Sequence, residues 1–148
     1  MRDAVLSLVS EVDALVMAAA VADYRPLVAA EQKLKKSGDR LSLDLTLAPD
    51  ILEEVMESGG NGKRPIVVGF AAETNDLVTN ARKKLHAKQL DLIVANDVSL
   101  EGSGFASDFN KVVILRRDGS ESELPLLPKT EVAHRLWDEV LAVKARPS

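Results

Sequence analysis

Apolar residues recur at helical spacing near the start of the chain. Val5, Leu8, Val9 and Val12 occupy positions i, i+3, i+4 and i+7 of an amphipathic helix. The apolar run at 14–19 then reads as a short buried strand, whose small residues let another group approach the backbone closely. Leu41, Leu43, Leu45 and Leu47 alternate with Ser42, Asp44 and Thr46, which predicts a half-buried strand with one wet face, suited to antiparallel pairing. Pro49 suits the first turn of a helix running to about Glu57, and the glycines around Asn61 mark a loop. Residues 66–71 form the clearest buried strand, followed by a helix over about 75–88 and a further strand over 91–95. A polar, glycine-containing loop covers 102–110. Strands over 112–116 and 121–125 flank Asp118-Gly119, a turn pair that predicts a hairpin. Val132, Leu136 and Val140 define a last amphipathic helix, on which Trp137 is expected to pack near Ala133 and Leu141.

Strands alternating with helices and then a hairpin predict a three-layer, Rossmann-like α/β domain with a mixed, mostly parallel sheet. The length of 148 residues fits one domain. A doubly wound sheet usually opens with a strand and a ligand-binding turn, whereas this chain opens on a helix. Either the fold is unusual or residues upstream of Met1 have been removed, and the expectation is a single, incomplete domain over 1–148. Composition narrows the partners. No apolar run approaches the roughly 20 residues that cross a bilayer. The net charge of −4 argues against nonspecific nucleic-acid binding, so neither membrane nor nucleic acid is an expected partner. The absence of cysteine excludes disulfides, thiolate metal sites and cysteine nucleophiles, and a cytoplasmic setting fits best.

Ligands of open α/β sheets bind beyond the carboxyl ends of strands. Polar or small groups stand at three such ends: Asp23 after Ala18–Ala22, Phe70–Thr74, and Asn96-Asp97. An acidic residue after a strand is also a common helix cap or turn former, so each alone names no ligand. Lys33, Lys35 and Lys36 lie in a polar stretch with Gly38 and Asp39. They read either as a solvated loop or as a basic flap closing over phosphates. Lys84 and Lys88 are one helical turn apart, and Lys88 falls near the stripe of Leu77, Ala81 and Leu85. That placement suits a pair of ammonium groups gripping phosphate, although snorkelling stems also explain it. Phe70 is either core or a surface for a base or sugar. His86 and His134 have no metal-ligand partner at recognisable spacing. No P-loop pattern occurs, and the 102–107 segment lacks the third glycine of a dinucleotide fingerprint, which disfavours an oxidoreductase.

A more specific reading comes from the order of longer segments: AAAVADYRP at 18–26, KLKK at 33–36, APDI at 48–51, VGFAAET at 68–74, DLIVANDVS at 91–99 and GFASDFN at 104–110. In this series the chain resembles phosphopantothenoylcysteine synthetase. For bacterial members the resemblance implies a ligase that activates the carboxylate of 4′-phosphopantothenate with CTP and Mg²⁺. An acyl-cytidylate forms with release of pyrophosphate, and the amine of cysteine then displaces CMP to leave an amide. Carried over by motif, Lys33 is the catalytic residue of the acyl-cytidylate step and faces the nucleotide. Asp23 lies beside the nucleotide and its metal ion. Met17, Ala18 and Ala19, with Ala48, Pro49, Asp50 and Ile51, shape the base pocket, and Phe70, Lys84 and Lys88 line the nucleotide site. The family often has asparagine where Ala48 stands. Its glycine- and serine-rich N-terminal phosphate-binding region has no match in 1–148. The resemblance also implies a homodimer, through the alternating strand, and a flavin-dependent decarboxylase fused upstream in the parent. The alternative is a non-catalytic nucleotide-binding module or an inactive fragment of such an enzyme.

Overall fold

In chain order, helix α1 (Arg2–Leu8) leads through a 3-10 turn at Val9–Glu11 into strand β1 (Ala14–Met17). Two short strands follow, β2 (Tyr24–Pro26) and β3 (Leu45–Leu47), and then helix α2 (Ile51–Ser58). Strand β4 (Ile66–Glu73), helix α3 (Leu77–Ala87) and strand β5 (Leu92–Asp97) form the centre of the chain. Strands β6 (Phe109–Arg116) and β7 (Glu121–Pro128) and helix α4 (Lys129–Lys144) complete it. This computed structural model describes residues 1–35, 38–58, 64–73, 76–97 and 107–146.

Among the described residues, five strands form one sheet in the order β1-β4-β5-β6-β7, and β2 pairs with β3 in a separate two-stranded ribbon. β1, β4 and β5 are parallel neighbours, as helical crossovers require, whereas β6 and β7 add antiparallel pairings through the predicted hairpin. Gly119 turns that hairpin with a φ of +91°, a conformation that suits glycine. Alternation along the strands sends side chains to two cores. On one face Val67, Ala71, Ile93, Ala95, Val113 and Leu115 meet α2 and α3 through Ile51, Val55, Ala81 and Leu85. On the other, Val68, Leu92, Val94, Val112 and Ile114 meet α4 through Val132, Leu136 and Val140. The result is the expected three-layer α/β architecture with a mixed sheet. A β-carbon on Gly69 would lie 2.6 Å from Leu90 Cδ1, so this glycine is what allows Leu90 to seat against β4.

Polar side chains pin the layers at their margins. The guanidinium of Arg64 donates two hydrogen bonds of 2.6 and 2.7 Å to the Asp91 carboxylate, which also accepts the Val67 N–H at 2.8 Å. These bonds lock the start of β4 to the start of β5. Arg116 on β6 pairs with Glu139 on α4, and Ser122 on β7 donates to the same carboxylate at 3.1 Å.

Four expectations change. Within the first helix only Val9 of the proposed stripe is buried, with Val5 and Leu6 packed beside it, while Leu8 and Val12 face solvent. The tightening to a 3-10 turn at Val9 rotates Val12 off the helical stripe. The alternating leucines form a strand only over Leu45–Leu47, and Leu41, Leu43, Leu45 and Leu47 are all exposed. Antiparallel pairing holds, but the ribbon is not laid on either core. Trp137 is 49% exposed, because Val132, Leu136 and Val140 carry the buried face of α4 and Trp137 lies beside it with exposed Leu141. Finally, β6 already begins at Phe109, within the expected loop, and residues 102–106 of that loop lie outside the described residues.

Candidate functional site

β1 ends at Met17, in register with Gly69, whereas its neighbour β4 continues to Glu73. The chain leaves the sheet at Ala18 and Ala19, both exposed, so β4 beyond Gly69 is not flanked by β1. This notch lies past the carboxyl end of a parallel strand, where α/β sheets bind ligands. Phe70 is the first β4 residue beyond it and is 40% exposed, which removes it from the core reading. Alternation places Phe70 on the α4 face of the sheet with Val68, while Ala71 faces α3.

A second part of the site comes from the ribbon. Pairing of Tyr24 with Leu47 brings the residue before β2 beside the residue after β3, and the Asp23 carbonyl accepts the Ala48 N–H at 2.8 Å. The 48–51 turn therefore hangs from Asp23 by a backbone bond that is indifferent to the side chain at 48. Ile51, buried in the core, anchors the far end of the turn. Between them Asp50 caps α2: one carboxylate oxygen accepts the Glu53 N–H at 3.1 Å. The other accepts the Lys88 ammonium.

Lys88 is held as firmly from its own side. The N–H of Gln89 donates to the His86 carbonyl at 3.1 Å and that of Leu90 to the Leu85 carbonyl at 2.9 Å, the paired bonds of a Schellman helix end. Gln89 supplies the left-handed residue with a φ of 53°. Lys88 is the cap of α3, and its side chain reaches Asp50 across 38 positions of sequence. Partial burial opposes charge on Asp50, but hydrogen bonds from Lys88 and from the Glu53 and Leu52 N–H groups outweigh it. The carboxyl is held below its usual range.

The structure thus joins Asp23, Ala48, Pro49, Asp50, Ile51 and Lys88 in one bonded unit and groups Met17, Ala18, Ala19 and Phe70 at the strand-end notch. Lys84 lies one turn before Lys88, exposed on α3, and its carbonyl accepts the Lys88 N–H at 2.9 Å. Lys33 and Lys35 are exposed in the excursion between β2 and β3, and among the described residues Lys33 makes no ion pair with this unit. Lys36 lies outside the described residues. Among the described residues no three acidic or histidine side chains converge to hold a metal. The Asp23 side chain is exposed, so its carboxylate is open to solvent beside the bond that its carbonyl makes to Ala48. Sequence reasoning placed Asp50 in the turn but did not anticipate its bond to Lys88. The signal available was an acidic residue at a helix start, which specifies a cap and says nothing of a distant cation.

The profile of the DNA/pantothenate metabolism flavoprotein C-terminal domain matches residues 1–143. The coenzyme A biosynthesis bifunctional protein CoaBC of Bacillus subtilis is 46% identical over 143 residues, covering 97% of this chain and 34% of that protein. Its counterpart in Vibrio vulnificus is 45% identical over 142 residues, covering 95% of this chain and 35% of that protein. The chain therefore spans about a third of the length of these relatives. A crystal structure of the C-terminal domain of CoaBC superimposes with a TM-score of 0.74 at 33% identity, covering 98% of this chain and 62% of that one. By motif order, fold and matched length, the chain belongs to the DNA/pantothenate metabolism flavoprotein C-terminal domain family.

Proposed function

We propose that this chain supplies most of the nucleotide site of a ligase of coenzyme A biosynthesis, joining 4′-phosphopantothenate to cysteine through a CTP-derived acyl-cytidylate. The observation that carries this reading is the Asp50–Lys88 ion pair. It joins the 48–51 turn to an α3 lysine, the two sequence-distant motifs that a base pocket and a phosphate grip would need side by side.

In this reading Met17–Ala19 and the 48–51 turn receive the cytosine and ribose, and small residues there keep the backbone approachable. Phe70 offers its exposed ring at the same strand end. Lys88, and Lys84 one turn away, bind the triphosphate, while Asp23 lies toward the phosphate-bound Mg²⁺. Lys33 comes in from the excursion between β2 and β3 and offsets charge that develops as pyrophosphate leaves. A carboxylate resists attack by an amine because its oxygen leaves poorly. Cytidylylation supplies the leaving group that cysteine then displaces. Homodimerisation through the β2–β3 ribbon and an upstream flavin-dependent decarboxylase domain belong to the same proposal, in keeping with the bifunctional name of the relatives.

The test is made in the full-length protein, following pyrophosphate release and amide formation separately. Pyrophosphate is expected only with CTP and 4′-phosphopantothenate together, and amide only when cysteine is added. Lys33→Ala is expected to lose most turnover while stability changes by no more than about 0.5 kcal/mol, as for a surface residue. Pyrophosphate release that ignores the nucleotide base, or no release at all, would sink the assignment.

A further inference from the structure

The Asp50–Lys88 pair lies inside the proposed nucleotide site, and a role for it in ligand binding rests on that reading. We propose that Asp50 is a positioning residue: its carboxylate sets the Lys88 ammonium against the 48–51 turn, so that the base-contacting and phosphate-contacting parts of the site are fixed as one unit before a nucleoside triphosphate arrives.

Both partners are anchored before they meet. Asp50 is held by the Glu53 N–H on one carboxylate oxygen, by the Glu54 N–H at 3.1 Å on its backbone carbonyl, and by the burial of adjacent Ile51. Lys88 is held by the hydrogen-bonded end of α3. Only the long lysine stem remains free to wander, and the second carboxylate oxygen of Asp50 removes that freedom. An ammonium has three donors, so the bond to Asp50 leaves two for phosphate oxygens. The side chains are 38% and 37% exposed, which keeps the pair within reach of a ligand. Ordering the lysine in advance removes a cost that triphosphate binding would otherwise carry.

Asp50→Asn separates this role from helix capping, since asparagine caps as well as aspartate but carries no charge. In the full-length protein, calorimetry with CTP and with cytidine is combined with urea denaturation of Asp50→Asn, Lys88→Ala and the double variant. The expected result for Asp50→Asn is a loss of roughly tenfold in CTP affinity, clearly larger than its loss in cytidine affinity, with at most a small fall in the urea midpoint as the charge of the pair is removed. The double variant is expected to bind CTP no worse than Lys88→Ala alone, because interacting residues are non-additive. Equal or tighter CTP binding by Asp50→Asn overturns the positioning role, and tighter binding would mean that Asp50 competes with phosphate for Lys88. Equal losses for CTP and cytidine also overturn it and leave a structural brace. Failure of the starting protein to bind CTP overturns the nucleotide reading itself, and the inference with it.

Discussion

A single hydrogen at Gly69 decides how β4 meets the segment after α3. Leu90 is buried, and a β-carbon at 69 would come within 2.6 Å of its Cδ1. Gly69→Ala is therefore expected to force Leu90 out of its rotamer and destabilise the fold by about 1–3 kcal/mol, as overpacked cores do. Urea denaturation measures this, and shortening the neighbour in Gly69→Ala/Leu90→Val should recover part of the loss. An unchanged midpoint for Gly69→Ala would show that Leu90 moves aside freely. The value of this glycine was not legible in the sequence, because the side chain it admits belongs to another turn, beyond α3. Lys88 was partly legible, since helical spacing put it near the buried stripe. Its partner was not, because Asp50 lies 38 positions away and helical geometry relates only near neighbours. The Ala48 N–H donates to the Asp23 carbonyl, so an alanine where the family often has asparagine leaves that bond intact.

Elements with a strong period were legible in type and approximate span. The 66–71 strand, the hairpin over Asp118-Gly119 and the helix carrying Val132, Leu136 and Val140 all stand, because each has its own core to bury against. The alternating leucines show the limit of that logic. Their period fits a strand with one apolar face, and it cannot say what covers the face. In the ribbon, Tyr24, Leu45 and Leu47 are 59%, 56% and 68% exposed, and Tyr24 pairs directly with Leu47. An apolar ribbon face of this kind suits association with a second copy. The proposed homodimer is thus expected to separate in Leu45→Glu/Leu47→Glu, read by sedimentation-equilibrium mass against the starting protein. Helical content should persist, since neither leucine belongs to either core. A double variant that keeps the starting mass would move the dimer contact off the ribbon.

At the scale of the whole molecule, the three layers were legible because each sheet face carries a continuous apolar set with the period of its strands. The charged ties between elements were not, because they join residues far apart in sequence at the margins of the cores. Among the described residues, four carboxylates with depressed pKa make such ties. Glu139 on α4 is lowered chiefly by Arg116, with help from Ser122. Glu54 on α2 is lowered chiefly by Arg2 of α1, and Asp118 in the hairpin by Ser120 and by Arg146 beyond α4. For Asp50 burial opposes the charge, and hydrogen bonds from Lys88 and backbone N–H groups lower the pKa against it. A carboxyl with a lower pKa in the folded state than in the unfolded state contributes stability above its unfolded value. That contribution is lost as pH falls through the folded value, because the unfolded chain takes up protons first. Stability is therefore expected to be level with respect to these groups above about pH 5 and to decline below about pH 4, the ordinary carboxylate range. Glu139 is the most shielded of the four, with its side chain 16% exposed. Glu139→Gln should lower stability at pH 7 by roughly 1–3 kcal/mol, the range for a hydrogen-bonded charged group. The difference should shrink as pH falls below the ordinary carboxylate range, because the unfolded chain takes up protons that folded Glu139 resists. Urea midpoints of both proteins between pH 7 and pH 3 measure the convergence. Curves that stay parallel throughout would mean that the Arg116–Glu139 tie contributes nothing through its charge, leaving packing of Val132, Leu136 and Val140 to hold α4 on the sheet.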